Sequence, residues 1–275
     1  MKNKPVFSTI DDPQGGGDVA WGINNQGNIV GSYINANGVQ TGFLDVHGSF
    51  TAISDPNGVQ GTYAMGISNS GEIVGGYVDA AGAVHGFMDV GGVLTTLDVP
   101  GAIDTEAHGV NKSGVIVGIY IDSTNQTHGF EYSNGVYTTI DDPAAAQSGG
   151  GYWTAVNGIN DSGQMVGTWS GANGTHAFVY SNGVFTTLDD PLASGATAGW
   201  GINNSGEISG YFVGGDTTGH GFVEKNGTFT TIDNPLASHT VGFFNTQVYG
   251  INDSGSVVGY YTDAATGHYH GFLMS

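Results

Sequence analysis

HAFVYSNGVFTTLDDP, residues 176–191, is written again as THGFEYSNGVYTTIDDP (127–143), GHGFVEKNGTFTTIDNP (219–235) and VHGFMDVGGVLTTLDVP (84–100). Looser copies end at Pro56 (TGFLDVHGSFTAISDP) and at Pro13 (VFSTIDDP). A second phrase alternates with the first: GINNQGNIVG (22–31), GISNSGEIVG (66–75), GVNKSGVIVG (109–118), GINDSGQMVG (158–167), GINNSGEISG (201–210) and GINDSGSVVG (250–259). Six copies of the pair follow one another, with a period of 43 to 48 residues between successive prolines. A fixed period of this size makes the repeat the unit to be explained.

Asn-x-Ser-Gly is turn chemistry, because Asn and Gly tolerate positive φ and close tight hairpins. Short β-branched runs flank it, so each second phrase reads as a hairpin of two strands, A and B. The HGF phrase is a third strand, C; Ser-Asn-Gly turns the chain again, and VFTTLDD is a fourth, D. Proline ends strand D because it cannot donate to the ladder. No segment has a 3.6-residue period, so no helix is expected. Four short strands in about 44 residues is the size of a propeller blade. The expectation is an all-β fold: one domain over 1–275, a six-bladed β-propeller with four antiparallel strands per blade. The blades fall at about 14–56, 57–100, 101–143, 144–191, 192–235 and 236–275 plus 5–13. The chain starts in a strand D and stops after a strand C, so residues 6–12 beside 270–274 would close the last blade. An elongated β-solenoid would leave both edges unpaired, which natural sheets avoid.

Composition narrows the partners. The 275 residues include 24 Asp and Glu against 4 Lys, no Arg and no Cys, for a net charge of −20. Nucleic acid needs many basic phosphate contacts, and polyanionic substrates usually need Arg forks. Neutral or cationic small molecules or glycans are the partners expected, with no nucleic acid and no membrane, and a monomer. Without Cys there is no disulfide framework, thiolate metal site or cysteine nucleophile. The 50 glycines with only 7 prolines and 39% hydrophobic residues read as turns around a core. The start, MKNKPVF, lacks an apolar h-region, so no signal peptide is expected there.

The combination of G-[IV]-N-x-x-G-x-[IV]-V-G with H-[AG]-F resembles the HAF repeat family of bacterial proteins, named for the triplet found here at His176, Ala177 and Phe178. The resemblance covers essentially the whole chain. Thr41 replaces the His of repeat one and Ser68 the Asn of repeat two. The resemblance implies a bacterial, often exported protein, extracellular or periplasmic. It implies no settled activity and supplies no catalytic residues.

What recurs in every repeat is framework. His85, His128, His176, His220 and His270 recur symmetrically, which argues for tying strand C to its surroundings and against catalysis. Thr62, Thr105, Thr154, Thr197 and Thr246, with Asp18 in the first copy, stand four residues before the strand-A Gly and are expected to bond the Asp-Pro corners (Asp12, Asp55, Asp142, Asp190).

Function is expected where the copies diverge, in the long D–A and B–C connections on one face. The residue before the strand-A Gly is Trp21, Met65, His108, Asn157, Trp200 and Tyr249 in turn. Strand A is innermost in a blade, so these six should crowd the channel mouth. With Trp153 they are the expected ligand-binding residues, because aromatic faces stack on sugars and on apolar or cationic ligands. Tyr63, Tyr152, Phe243 and Phe244 lie in the same connections. Asp104, Glu106 and His108, two apart in an extended segment, share a side and are the candidate catalytic acid–base set. Asp79, Asp122, Asp216 and Asp263 in the B–C loops leave calcium open, although no loop has EF-hand spacing; no metal residue is assigned. Three readings follow: a binding module for one neutral glycan-like or small amphiphilic ligand, an enzyme (hydrolase, lyase or cyclase) at the same mouth, or an interaction scaffold. The fold alone does not choose among them.

Overall fold

The computed structural model describes residues 5–145, 153–172, 174–238 and 245–275. Among these residues it has 24 β-strands and no α-helix. Antiparallel pairing groups the strands in fours. In the third group, Asp104–Val110 (A) pairs with Ile116–Ile121 (B), B with Thr127–Ser133 (C), and C with Val136–Ile140 (D). The sixth group takes its fourth strand from the other end of the chain, where Phe7–Ile10 pairs with Tyr269–Met274 in the register Phe7↔Met274 to Ile10↔Gly271. Val6 and Ser275 add two backbone hydrogen bonds to this pairing.

The turns form as their chemistry dictates. Asn134, Asn182 and Asn226 each sit near φ 51°, followed by Gly135, Gly183 and Gly227 at φ 80–83°, so these three C–D hairpins close on an Asn-Gly pair, while the first two close on His47-Gly48 and Gly91-Gly92. At the A–B hairpins the repeated Asn caps its own turn. Asn160 Oδ1, for example, accepts the Ser162 and Gln164 amides at 3.1 and 3.0 Å.

The same Asn joins neighbouring groups. Its side-chain amide donates to the carbonyl of the next copy: Asn24 to Ser68, Asn111 to Asn160, Asn160 to Asn203, Asn203 to Asn252, and Asn252 back to Asn24, at 3.0–3.3 Å. Ser68 has no amide to give, and its hydroxyl turns to Glu72.

The core lies between groups. Phe43, Phe87, Phe130, Phe178, Phe222 and Phe272, one per strand C, are fully buried. Burying each contributes roughly 1.5–3 kcal/mol. Phe130 packs with Val74 of the preceding group, and Phe43 of the first group packs with Val258 of the sixth. The strand-A glycines let inner strands approach. A Cβ on Gly158 would stand 2.5 Å from the Trp200 carbonyl oxygen, and one on Gly201 2.5 Å from that of Tyr249. On Gly250 it would lie 3.0 Å from the Trp21 oxygen, which again joins the last group to the first.

The expected corner bond is present, made by a backbone amide and not by a carboxylate. The N–H of Asp55, Val99, Asp142, Asp190 and Asn234 donates at 3.1 Å to Oγ1 of Thr62, Thr105, Thr154, Thr197 and Thr246. In the first copy Asp12 N–H donates to Asp18 Oδ1 at 2.8 Å.

Candidate functional site

In every group, strand A slips register at the residue before its glycine: between Ala20 and Gly22, Ala64 and Gly66, Ala107 and Gly109, Val156 and Gly158, Gly199 and Gly201, and Val248 and Gly250. The residue skipped is a β-bulge, whose side chain is re-aimed away from the regular alternation. Those six residues are Trp21, Met65, His108, Asn157, Trp200 and Tyr249, and all six line one narrow passage of about 100 Å³ together with the following glycines, five isoleucines and Val110. The bulges are not visible in the sequence; an unlike residue before an invariant Gly is the one trace they leave.

Above the passage, where strands A begin and strands B end, lies a cavity of about 570 Å³. Trp21, Met65, His108, Trp153, Asn157 and Trp200 line it, as expected, and so does Glu106. The cavity is lopsided, with most of its wall coming from the third, fourth and fifth groups. Ile119, Tyr211 and Val213 on strands B join it without having been singled out from sequence, although the place of Ile119 and Tyr211 is taken by Ser32, Gly76, Thr168 and Tyr260 in the other copies.

Two expected residues stand elsewhere. Tyr249 is 5% exposed and does not line the cavity. Its ring stacks on Trp21 at 4.3 Å and meets Trp200 edge-on at 4.7 Å, while Trp21 and Trp200 lie 5.7 Å apart. Its hydroxyl donates to Gln247. Tyr249 thus holds the two tryptophans from beneath, on the sixth group's side. Asp104 is also outside the wall, and its Oδ1 accepts the Val84 amide of the preceding group at 2.8 Å. The Asp–Glu–His trio is therefore a Glu–His pair. Tyr152, Phe243 and Phe244 lie outside the described residues.

The polar part of the wall is a chain. Asn157 Nδ2 donates to the Gly199 carbonyl at 2.7 Å and toward Thr168 Oγ1 at 3.3 Å. Its Oδ1 therefore faces His108 Nδ1, at 3.1 Å, and can only accept. His108 Nε2 meets Glu106 Oε2 at 3.3 Å, and Trp200 lies over the imidazole at 6.1 Å. Tyr63, beside Glu106 and electrostatically coupled to it, completes the chain. Burial by itself raises the Glu106 carboxyl; the hydrogen bonds and charge of His108, with the Tyr63 hydroxyl, hold it below the ordinary carboxylate value. Burial first, then the Glu106 charge, push the Tyr63 phenol well up, so it stays a donor.

The recurring histidines sit away from this cavity. Each stacks on a strand-B ring (Tyr77, Tyr120, Trp169, Phe212 or Tyr261) and sets Nδ1 against the aspartate thirteen residues on, or against Asp11 across the chain ends, at 2.7–3.0 Å. The B–C aspartates considered for calcium hold their own turns. Asp122 accepts the Gln126 and Thr124 amides, which lower its carboxyl to about 2; Asp79, Asp216 and Asp263 accept amides of their own turns, and their carboxyls are lowered as well. Among the described residues no group of three His, Asp or Glu side chains is placed to hold a metal ion.

No protein-family model matches the chain, and no curated protein matches it. Solved structures do. AofleA from Arthrobotrys oligospora superposes with a TM-score of 0.60 at 13% identity, over 98% of this chain and 86% of that one. SapL1 lectin in complex with alpha methyl fucoside matches at 0.56 and 14%, over 91% and 90%. The Aleuria aurantia lectin, a six-bladed β-propeller with a fucose recognition mode, matches at 0.51 and 14%, over 92% and 93%. The likeness is one of fold.

Proposed function

We propose that the chain is a six-bladed β-propeller of HAF type, its last blade completed by the N-terminal strand, and that it binds one neutral ligand in the lopsided cavity. The ligand is glycan-like or a small amphiphile, and the protein acts as a monomer. One observation carries the single-site reading: the cavity wall is built from residues that differ from copy to copy. A protein with equivalent sites would repeat its contact residues, and here the repeated residues make turns, corners and core. The lectins of similar fold bind fucosides, which supports a saccharide among the ligands to be tried first. With no arginine in the chain, stacking on Trp153, Trp200 and Trp21 would supply the contact energy.

The test is titration with alkyl and aryl glycosides and methyl α-L-fucoside, followed by calorimetry and tryptophan fluorescence. Trp153→Ala should weaken binding by about 1–2 kcal/mol, roughly five- to thirtyfold, with little salt dependence because no ion pair is broken. Full affinity in Trp153→Ala and Trp200→Ala would remove the cavity from consideration. The Tyr63–Glu106–His108–Asn157 chain favours the enzyme as second reading, since a half-buried carboxylate beside an imidazole suits proton transfer. Glycoside turnover that falls by orders of magnitude in His108→Ala would select it.

A further inference from the structure

Both ring nitrogens of His108 face oxygen. Nδ1 points at Asn157 Oδ1, fixed as an acceptor because the Asn157 amide nitrogen donates to Gly199. Nε2 points at Glu106 Oε2. A proton on Nδ1 satisfies the first contact, and the second is a hydrogen bond only if another proton lies between Nε2 and Oε2. With that proton on Nε2, imidazolium and carboxylate together sum to zero charge, and Glu106 remains an ionised acceptor. The cavity is thus electrically neutral at its polar end, in a chain of net charge −20.

Three other polar groups of the wall are committed. Asn157 and Thr168 both turn to the Gly199 carbonyl, and Gln40 donates to Ser32. Glu106 has about four acceptor positions, of which His108 faces one and Tyr63 stands beside another. Its carboxylate is the anionic acceptor among the residues lining a cavity walled by Trp21, Trp153, Trp200, Ile119 and Val213.

We infer that the cavity takes a neutral molecule, apolar over most of its surface, with a hydroxyl that donates to the Glu106 carboxylate. This rests on the reading of the cavity as the binding site, and it makes Glu106 the specificity-determining residue. A ligand without a donor leaves the carboxylate desolvated and unmatched; an ammonium brings a charge that the neutral pair does not balance. His108 and Tyr63 position Glu106 and do not themselves discriminate.

Three probes of one shape separate the possibilities: 2-naphthol, 2-methoxynaphthalene and 2-naphthylmethylammonium, titrated against the full chain by tryptophan fluorescence and calorimetry. The naphthol should bind roughly ten- to a hundredfold more tightly than its methyl ether, as expected for a hydrogen bond to a charged acceptor. Glu106→Gln should remove most of that preference through the naphthol and leave the ether unchanged. Asp104→Asn, outside the cavity, should alter neither. Equal affinity for naphthol and ether in the native chain, or tighter binding of the ammonium, overturns the inference while keeping the cavity as a site. Parallel loss of both neutral probes in Glu106→Gln also overturns it, because a merely structural role would act on both. Failure of all three probes to bind overturns the cavity reading, and the inference with it.

Discussion

Asp18 stands where the other five copies carry threonine, and it accepts the same corner amide with a carboxylate in place of a hydroxyl. Burial pushes its carboxyl up to about 6, against the Asp12 amide, which lowers it. The folded state therefore favours the proton more than the unfolded chain does. Its contribution to stability is complete below about pH 4 and is lost as pH rises through about 6. Asp18→Thr keeps the acceptor and removes the titration. Urea midpoints should show the variant more stable than the native chain at pH 7, the gap closing toward pH 4; a gap independent of pH would refute the assignment. The histidines teach a related lesson. Each ties strand C to its surroundings, as sequence alone expects, but their side chains are 19–27% exposed and the partner aspartates 40–44%. Pairs so exposed contribute about 1 kcal/mol or less. In repeat one both change together: where Thr41 replaces the His, Ser54 replaces its Asp.

At the scale of the strand, hairpins and their order were legible because they depend on local chemistry: Asn-Gly turns, β-branched runs, a terminating proline. The bulge was not. A one-residue slip breaks the two-residue alternation that any reading of strand faces assumes, and nothing in the bulged residues announces it, since they are as unlike as Trp21 and Asn157. The glycine that follows is the fixed element, because inner strands meet there backbone to backbone. Gly201→Ala places a Cβ 2.5 Å from the Tyr249 oxygen and 2.6 Å from Ser209 Oγ. Such overpacking should cost about 1–3 kcal/mol and, by shifting Trp200 beside it, weaken ligand binding as well. Gly92→Ala is not the matching control, since its φ of 88° is itself a left-handed position. Gly16, with open space around its Cα and no left-handed φ, is. Equal melting temperatures for Gly201→Ala and Gly16→Ala would contradict the close approach.

For the whole molecule, the chain ends are the deciding contact. Phe7–Ile10 covers the outer edge of the last group, Phe7 packs on Phe272, and Asp11 holds His270 at 2.9 Å. Deleting residues 1–12 should expose the Tyr269–Met274 edge and cause a large fall in melting temperature or aggregation. A truncated chain that melts within a few degrees of the native one would defeat the closed six-blade proposal. Closure is also what puts the sixth group's Tyr249 under Trp21 of the first, residues 228 positions apart in sequence.

The sequence by itself determined the period, the four-strand unit, the turns and the division between repeated framework and divergent mouth, because each follows from chemistry within a few residues. Six of the seven expected ligand residues accordingly reach the cavity. Only the tertiary structure decided which divergent residues face open space. Tyr249 is taken up supporting the tryptophans, Asp104 reaches back to Val84, and Glu106 is joined by Tyr63 from the neighbouring group. These outcomes depend on how far one group stands from the next and on the angle a bulge gives its side chain. Both are set by packing across repeats, between residues that no local pattern links.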